Sequence, residues 1–247
     1  MGGRRFRLPP ENMTTIATPS LDTQGTSRMV LFPLADEVCF PQTELRLQVI
    51  DPGYQELVSD LFLEVGNGAW LGTVLLRPDH EEQAQGPTVF TAGTAARLLD
   101  YESHEEGCDI LLRGEYRFRI ERELGWGSRL EGLVRPISEP LWNEGTDQAR
   151  SLQQELLDRT LSLASELGDR FALDDEQLGD LLCGTNFEQV VNQLSAHLDL
   201  SPLRKLRLLQ DSLPERAEHL AEILRSRCQV LDTLRPFRHL ALAAQRN

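Results

Sequence analysis

The chain has 247 residues, 40% of them hydrophobic and 26% charged, which suits one large domain or two small ones with an ordinary core. No apolar run approaches the about 20 residues of a membrane-spanning helix. The formal charge of −14 argues against phosphate-backbone ligands and leaves basic or neutral polypeptide partners open.

That charge is uneven. Residues 1–28 carry a net +2, residues 29–146 hold 9 basic against 21 acidic groups, and residues 147–247 hold 12 against 16. The opening MGGRRFRLPPENMTT is basic but has no apolar stretch behind it, so no secretory signal is expected and a cytoplasmic protein is the default. Residues 1–28 mix Pro, Gly, Ser and Thr with little periodicity and predict a mobile tail. The alternative is a short docking peptide led by Arg4-Arg5-Phe6-Arg7. Cys39, Cys108, Cys183 and Cys228 are far apart with no C-x-x-C, which predicts buried free thiols rather than a disulfide framework or zinc ribbon.

Met29–Pro33 reads as the first strand. Two Phe-Pro pairs, Phe32-Pro33 and Phe40-Pro41, bracket a turn before a period-2 strand, Glu44–Ile50. There Leu45, Leu47 and Val49 face one way and Glu44, Arg46 and Gln48 the other. Asp51 is placed to cap a helix with Pro52 at its first position. Leu57, Val58, Leu61 and Val65 would form its buried face, and Gly66-Asn67-Gly68 its end.

Trp70–Arg77 is an almost continuous apolar run, hence a strand covered on both faces. Val89–Leu99 contains Gly93, which permits a bend or a close backbone approach. Ile110–Ile120 alternates: Ile110, Leu112, Tyr116, Phe118 and Ile120 share one face, and Arg113, Glu115, Arg117, Arg119 and Glu121 share the other. Leu130–Ile137 completes a set of six short strands around one helix, which predicts a small, nearly closed barrel.

From Asp147 the period becomes helical. Leu152, Leu156, Leu157, Leu161, Ala164 and Leu167 form one stripe. Phe187, Val190, Val191, Leu194 and Leu198 form a second. Asp174-x-x-Gln177 and Asn186-x-x-Gln189 resemble capping boxes. Ser201-Pro202 opens another helix, with Leu203, Leu206 and Leu208 or Leu209 inward. Ser212-x-x-Glu215 opens the last, with Ala217, Leu220, Leu224, Cys228, Leu231 and Leu234 on one face, and Pro236 ends it.

The order of these segments carries a resemblance. Leu31–Tyr54 runs F-P-L, F-P and an apolar strand into Asp51-Pro52-x-Tyr54-x-x-Leu57-Val58. Gly93-Thr94-Ala95-Ala96-Arg97, the Arg113-Gly114-x-x-Arg117-Phe118-Arg119-Ile120 strand and LEGLVRPISEP follow, and LDLSPLRKLRLLQDSLPERAEHLAEIL comes later. Together they resemble the Lon protease N-terminal, substrate-binding domain over about residues 29–235. Gln48 and Gly53 depart from that pattern. The resemblance implies an α+β protein, with a PUA-like β-barrel of about six strands plus one helix at 29–145. A C-terminal α-helical bundle with a long last helix would occupy 146–247, after the tail at 1–28.

It also implies a non-catalytic, stand-alone member lacking the ATPase and protease modules. Its partners would be unfolded or tagged polypeptides and a separate ATP-dependent protease, with an adaptor or quality-control role. An RNA-binding PUA-like module is the alternative reading.

The residues themselves offer little chemistry. Only one of 25 basic residues is lysine, Lys205, and it has no glycine-rich phosphate loop around it. No H-E-x-x-H or G-x-S-x-G occurs, and His80, His104, His197, His219 and His239 are scattered, so no catalytic residue, cofactor or metal site is expected. Two acidic stretches, Asp79–Glu82 and Asp100–Asp109, read as solvated connections rather than a cation site. The Arg113, Arg117, Arg119 row is interleaved with Glu115 and Glu121, which predicts an ion-pair ladder rather than an RNA surface. The helical stripes read as core. Polypeptide contacts would use a barrel–helix cleft or an exposed apolar patch, and no contact residue can be named from the sequence.

Overall fold

The protein is described by a computed structural model covering residues 25–78, 88–126, 129–139, 142, 145–168, 171, 173, 175–182 and 186–237. Most of the predicted tail, the Asp79–Glu82 stretch, the Asp174 cap, Cys183 and His239 lie outside the described residues. Two compact units result. One comprises Met1–Ser138 with Leu200–Gln210, the other Glu139–Asp199 with Asp211–Asn247.

The first unit is built on strands β1 (Ser27–Leu34), β2 (Glu44–Val49), β3 (Trp70–Leu76), β4 (Val89–His104), β5 (Gly107–Trp126) and β6 (Leu130–Pro136). They form one mixed sheet in the order β2-β5-β4-β3-β1-β6, with β5 also paired to β6. Only β1 and β3 run parallel; the other pairings are antiparallel. Strands β1, β3, β4, β5 and β6 therefore form a closed circuit, and β2 hangs outside it on β5. The α+β class is as expected. In place of a regular six-stranded barrel, β4 and β5 run 16 and 20 residues and overreach their neighbours, so β5 pairs with β2 near one end and β6 near the other. The acidic stretch from Asp100 is mostly strand, not a loop: it forms the β4–β5 ribbon around a turn at Glu105-Glu106.

Between β2 and β3 lies helix α1 (Pro52–Val65). Asp51 caps it, accepting from the Gly53 and Tyr54 amides at 2.9 and 3.2 Å, and Gly66 ends it at φ 78°. Leu57, Val58 and Leu61 are buried as their spacing predicts. Val65 is not: it is exposed in the last turn of the helix. This helix joins Phe32, Val49, Leu71, Leu98, Ile110 and Leu112 in one core cluster.

A second cluster gathers Met29, Leu31, Val74, Phe118, Ile120 and Val134 inside the strand circuit. The alternating apolar face of β5 thus supplies two cores, because the strand carries a bulge where Tyr116 and Gly114 oppose successive residues of β4. Phe118 fills the second. A Cβ at Gly72 would lie 2.8 Å from its ring, and so would one at Gly93, so the close approach predicted at Gly93 is real.

In the second unit α2 (Asp147–Leu167), α3 (Asp175–Leu182), α4 (Phe187–His197) and α6 (Leu213–Leu234) bury Leu156, Leu163, Phe187, Val190, Val191, Leu194, Ala217, Leu220 and Leu224. The α4 stripe is buried throughout, including Leu198. The α6 stripe is buried only in its first half. Cys228 and Leu231 are half-buried and Leu234 is exposed, because the helix, about 33 Å long at 1.5 Å per residue, outlasts the neighbours packed on it. The α2 stripe is likewise shifted: Leu161 is exposed, and Thr160 and Leu163 take the inward positions.

Candidate functional site

Helix α5 (Pro202–Gln210) belongs to the first unit. Leu206, Leu208 and Leu209 are buried while Leu203, expected inward, is exposed. Leu206 and Leu209 close over a tight void of about 10 Å³ lined also by Leu34, Val38, Cys39 and Gly93.

The segment before β2 is pinned to the same sheet. Thr94 Oγ1 donates to the Cys39 carbonyl at 2.6 Å, the Gln42 amide to the Gly114 carbonyl at 2.8 Å, and Phe40 is fully buried. Lys205 pairs with Glu37 at 3.3 Å and is itself nearly buried. Burial pushes the Cys39 thiol up to about 12, against smaller opposing effects of Thr73 and the Gly114 backbone. That thiol stays protonated and inert. The surroundings of Lys205 and Cys39 are those of packing groups.

The arginine row of β5 does not form one surface. Arg117, expected on the solvent face, is 3% exposed, because α5 covers it and its Nη1 donates to the Leu209 carbonyl at 2.6 Å. A cation at the C-terminal end of a helix is favourably placed for the helix dipole. The two carboxylates of the row are engaged from the neighbouring strands: Arg97 of β4 pairs with Glu115 at 2.5 Å and Arg135 of β6 with Glu121 at 2.8 Å. Arg28 pairs with Glu131. On the β4–β5 ribbon His104 Nε2 lies 3.5 Å from Asp109. Among the described residues no three acidic, His or Cys groups are placed to hold a cation.

Sequence reasoning missed the centre of the second unit. Arg216 is fully buried and donates to Asn192 Oδ1, to the Asp211 carbonyl at 3.1 Å and to Glu139 at 3.3 Å. Its position beside Glu215 at a helix start looks like a surface pair; only the folded neighbours reveal otherwise. Glu155 of α2 accepts from Arg225 of α6 at 2.7 Å and, within α2, from Arg159 at 2.8 Å. The Arg225 hydrogen bond, then that of Arg159, lowers the Glu155 carboxyl to about 2.

The first unit also exposes apolar side chains and one strand edge. Ile50, Leu63 and Val65 are 65%, 79% and 47% exposed. Strand β2 pairs with β5 and, among the described residues, with no second strand. Leu45 and Leu47 are half-buried against the first core cluster. No helix among the described residues is long and apolar enough to cross a membrane.

The comparisons with known proteins agree with this architecture. The chain is similar to Lon protease 2 of Syntrophobacter fumaroxidans, 24% identical over 192 residues, which are 76% of this chain and 22% of that protein. The chain thus spans little more than a fifth of that relative's length. The solved N-terminal domain of Mycobacterium avium complex Lon protease superposes with a TM-score of 0.62 at 18% identity, covering 81% of this chain and 98% of that one. The Lon N-terminal domain protein from Xanthomonas campestris gives 0.55 at 24% identity, covering 78% and 96%. Both likenesses speak to the fold. The model of the ATP-dependent protease La (LON) substrate-binding domain matches residues 28–226. The chain belongs to that family.

Proposed function

We propose that this chain is a non-catalytic polypeptide-recognition module. It holds unfolded or tagged polypeptides in the cytoplasm, as an adaptor or quality-control factor for a separate ATP-dependent protease. The observation that carries the reading is the family match over residues 28–226, whose described activity is substrate binding. The solvent-exposed Ile50, Leu63 and Val65 supply apolar contact, and an unfolded chain is the partner that offers complementary apolar side chains. Free thiols at Cys39, Cys108 and Cys228 fit a reducing compartment.

The rival RNA-binding reading has less support. Arg117 of β5 is drawn under α5, Glu115 and Glu121 are interleaved with the arginines of the same strand, and the field of residues 29–146 is negative.

Fluorescence anisotropy tests the two readings directly. The labelled ligands are a reduced, carboxymethylated protein and a single-stranded RNA, each titrated at low and moderate salt. Saturable polypeptide binding that survives the higher salt, with no RNA signal, is expected. RNA binding with a steep salt slope would overturn the proposal.

A further inference from the structure

We infer that the open edge of β2 captures an extended segment of the client polypeptide as an added β-strand; this rests on the polypeptide-recognition reading above. The backbone groups are already arranged for it. The Gly114 amide donates to the Thr43 carbonyl at 3.0 Å, so Thr43 turns its carbonyl toward β5. In an antiparallel ladder the direction alternates. Glu44, Arg46 and Gln48 therefore turn their N–H and C=O groups away from β5, toward the edge that no other strand among the described residues occupies.

The side chains agree. Glu44, Arg46 and Gln48 are exposed on one face, while Leu45 and Leu47 are half-buried on the other and pack on the first core cluster. A strand laid beside β2 would place every second side chain next to Leu45 and Leu47, extending that core. The rest would lie beside a mixed polar row. The preferred occupant is therefore a segment of about six residues that alternates apolar with polar, the length of β2 itself.

Of the devices that usually prevent pairing, this edge carries only charge, at Glu44 and Arg46. Sheet edges are commonly blunted with lysine, proline or a bulge. ELRLQV contains neither residue. Its register with β5 runs unbroken from Glu44↔Arg113 to Val49↔Cys108, whereas the β3–β4, β4–β5 and β5–β6 pairings all slip.

A second copy of this chain is a poorer occupant. Antiparallel self-pairing that overlaps Glu44–Gln48 on itself sets Arg46 against Arg46, and like charges directly opposite repel. Nucleic acid offers no donors and acceptors that alternate at the strand period.

The test uses the full chain and three labelled probes. These are the carboxymethylated protein, a ten-residue peptide alternating valine with serine and ending in lysines, and the same peptide N-methylated at alternate residues. N-methylation removes the donors of one peptide edge without touching the protein. The wild type should bind the first two, and the N-methylated peptide at least tenfold more weakly. Arg46→Pro removes an N–H that does not pair with β5 and should weaken the first two probes by a similar factor.

Equal affinity for the methylated and parent peptides overturns the edge inference, as does unaltered binding by Arg46→Pro, while protein binding still upholds the recognition reading. No binding of the carboxymethylated protein overturns that reading and the inference with it. A dimer in sedimentation that Arg46→Pro dissociates would identify the occupant as a second copy and also overturn the inference.

Discussion

Two glycines and one phenylalanine determine how the first unit closes. Phe118 occupies the space that side chains at Gly72 and Gly93 would need, but the two sites differ in what else stands there. A Cβ at Gly72 would meet only side chains, those of Phe118, Met29 and Leu31, at 2.8 to 3.0 Å. At Gly93 it would also meet the Thr73 backbone carbonyl, at 2.4 Å. Overpacking of this kind costs about 1–3 kcal/mol and is relieved only where the obstacle can yield. Gly72→Ala and Gly93→Ala should therefore both destabilise by that amount or more. In double-mutant cycles with Phe118→Leu, only Gly72→Ala should show a compensating coupling, read from urea midpoints. Equal rescue at both sites would contradict the assigned role of the Thr73 carbonyl. The special nature of Gly93 was legible as a glycine inside an apolar strand. Burial of Arg117 and Arg216 was not, because a single sequence gives an arginine's position on its own element but not what packs over it.

At the scale of elements, most strand and helix positions followed from period and punctuation. Asp51-Pro52 starts α1, Asn186 caps α4 by accepting from the Gln189 amide at 2.8 Å, and Glu215 accepts from the Ser212 amide and hydroxyl at the start of α6. What the pattern missed was length. Residues 100–109 look like a solvated loop because Tyr101 and Cys108 alone among them pack on the first core cluster, too few to show an apolar alternation. The far half of α6 looks buried because its stripe persists past its packing partners. Between α2 and α6 the binding force is partly ionic, through Glu155 with Arg225, while Arg159 holds the same carboxylate from within α2. The Glu155 carboxyl is lowered from 4.5 to about 2, so its contribution is complete above about pH 4.5 and is lost as pH falls toward 2. The side chain is 29% exposed, and solvent screening holds such an interaction to about 1 kcal/mol. Glu155→Gln should lower stability by about that much at pH 7, and the gap from wild type should close between pH 4.5 and 2. Urea unfolding followed by helical circular dichroism across that range measures it. A gap that persists at pH 2 would remove the carboxylate as its source.

For the whole chain, sequence order and folded order part company at α5. The helix lies between α4 and α6 in the sequence, and its leucine pattern resembles theirs, yet it is grouped with the sheet. Leu206 and Leu209 help line the cavity beside Val74, Ala92 and Gly93, and the last carbonyls of the helix receive Arg117. The helical half read from the sequence as one continuous block therefore sends one segment back across the chain to complete the other unit. This has a consequence that separates spatial from sequential neighbours. Leu209→Ala removes a side chain that is 2% exposed, a loss of about 2–5 kcal/mol for a buried leucine. That loss should fall on the sheet. Amides of β3 and β4 should exchange with deuterium faster in the variant, while those of α4 and α6, which flank the helix in sequence, keep their protection. Faster exchange confined to α4 and α6 would place α5 with the helices instead. It would also leave burial of Arg117 without its cause, since the Leu209 carbonyl is one of the groups that hold that charge away from solvent.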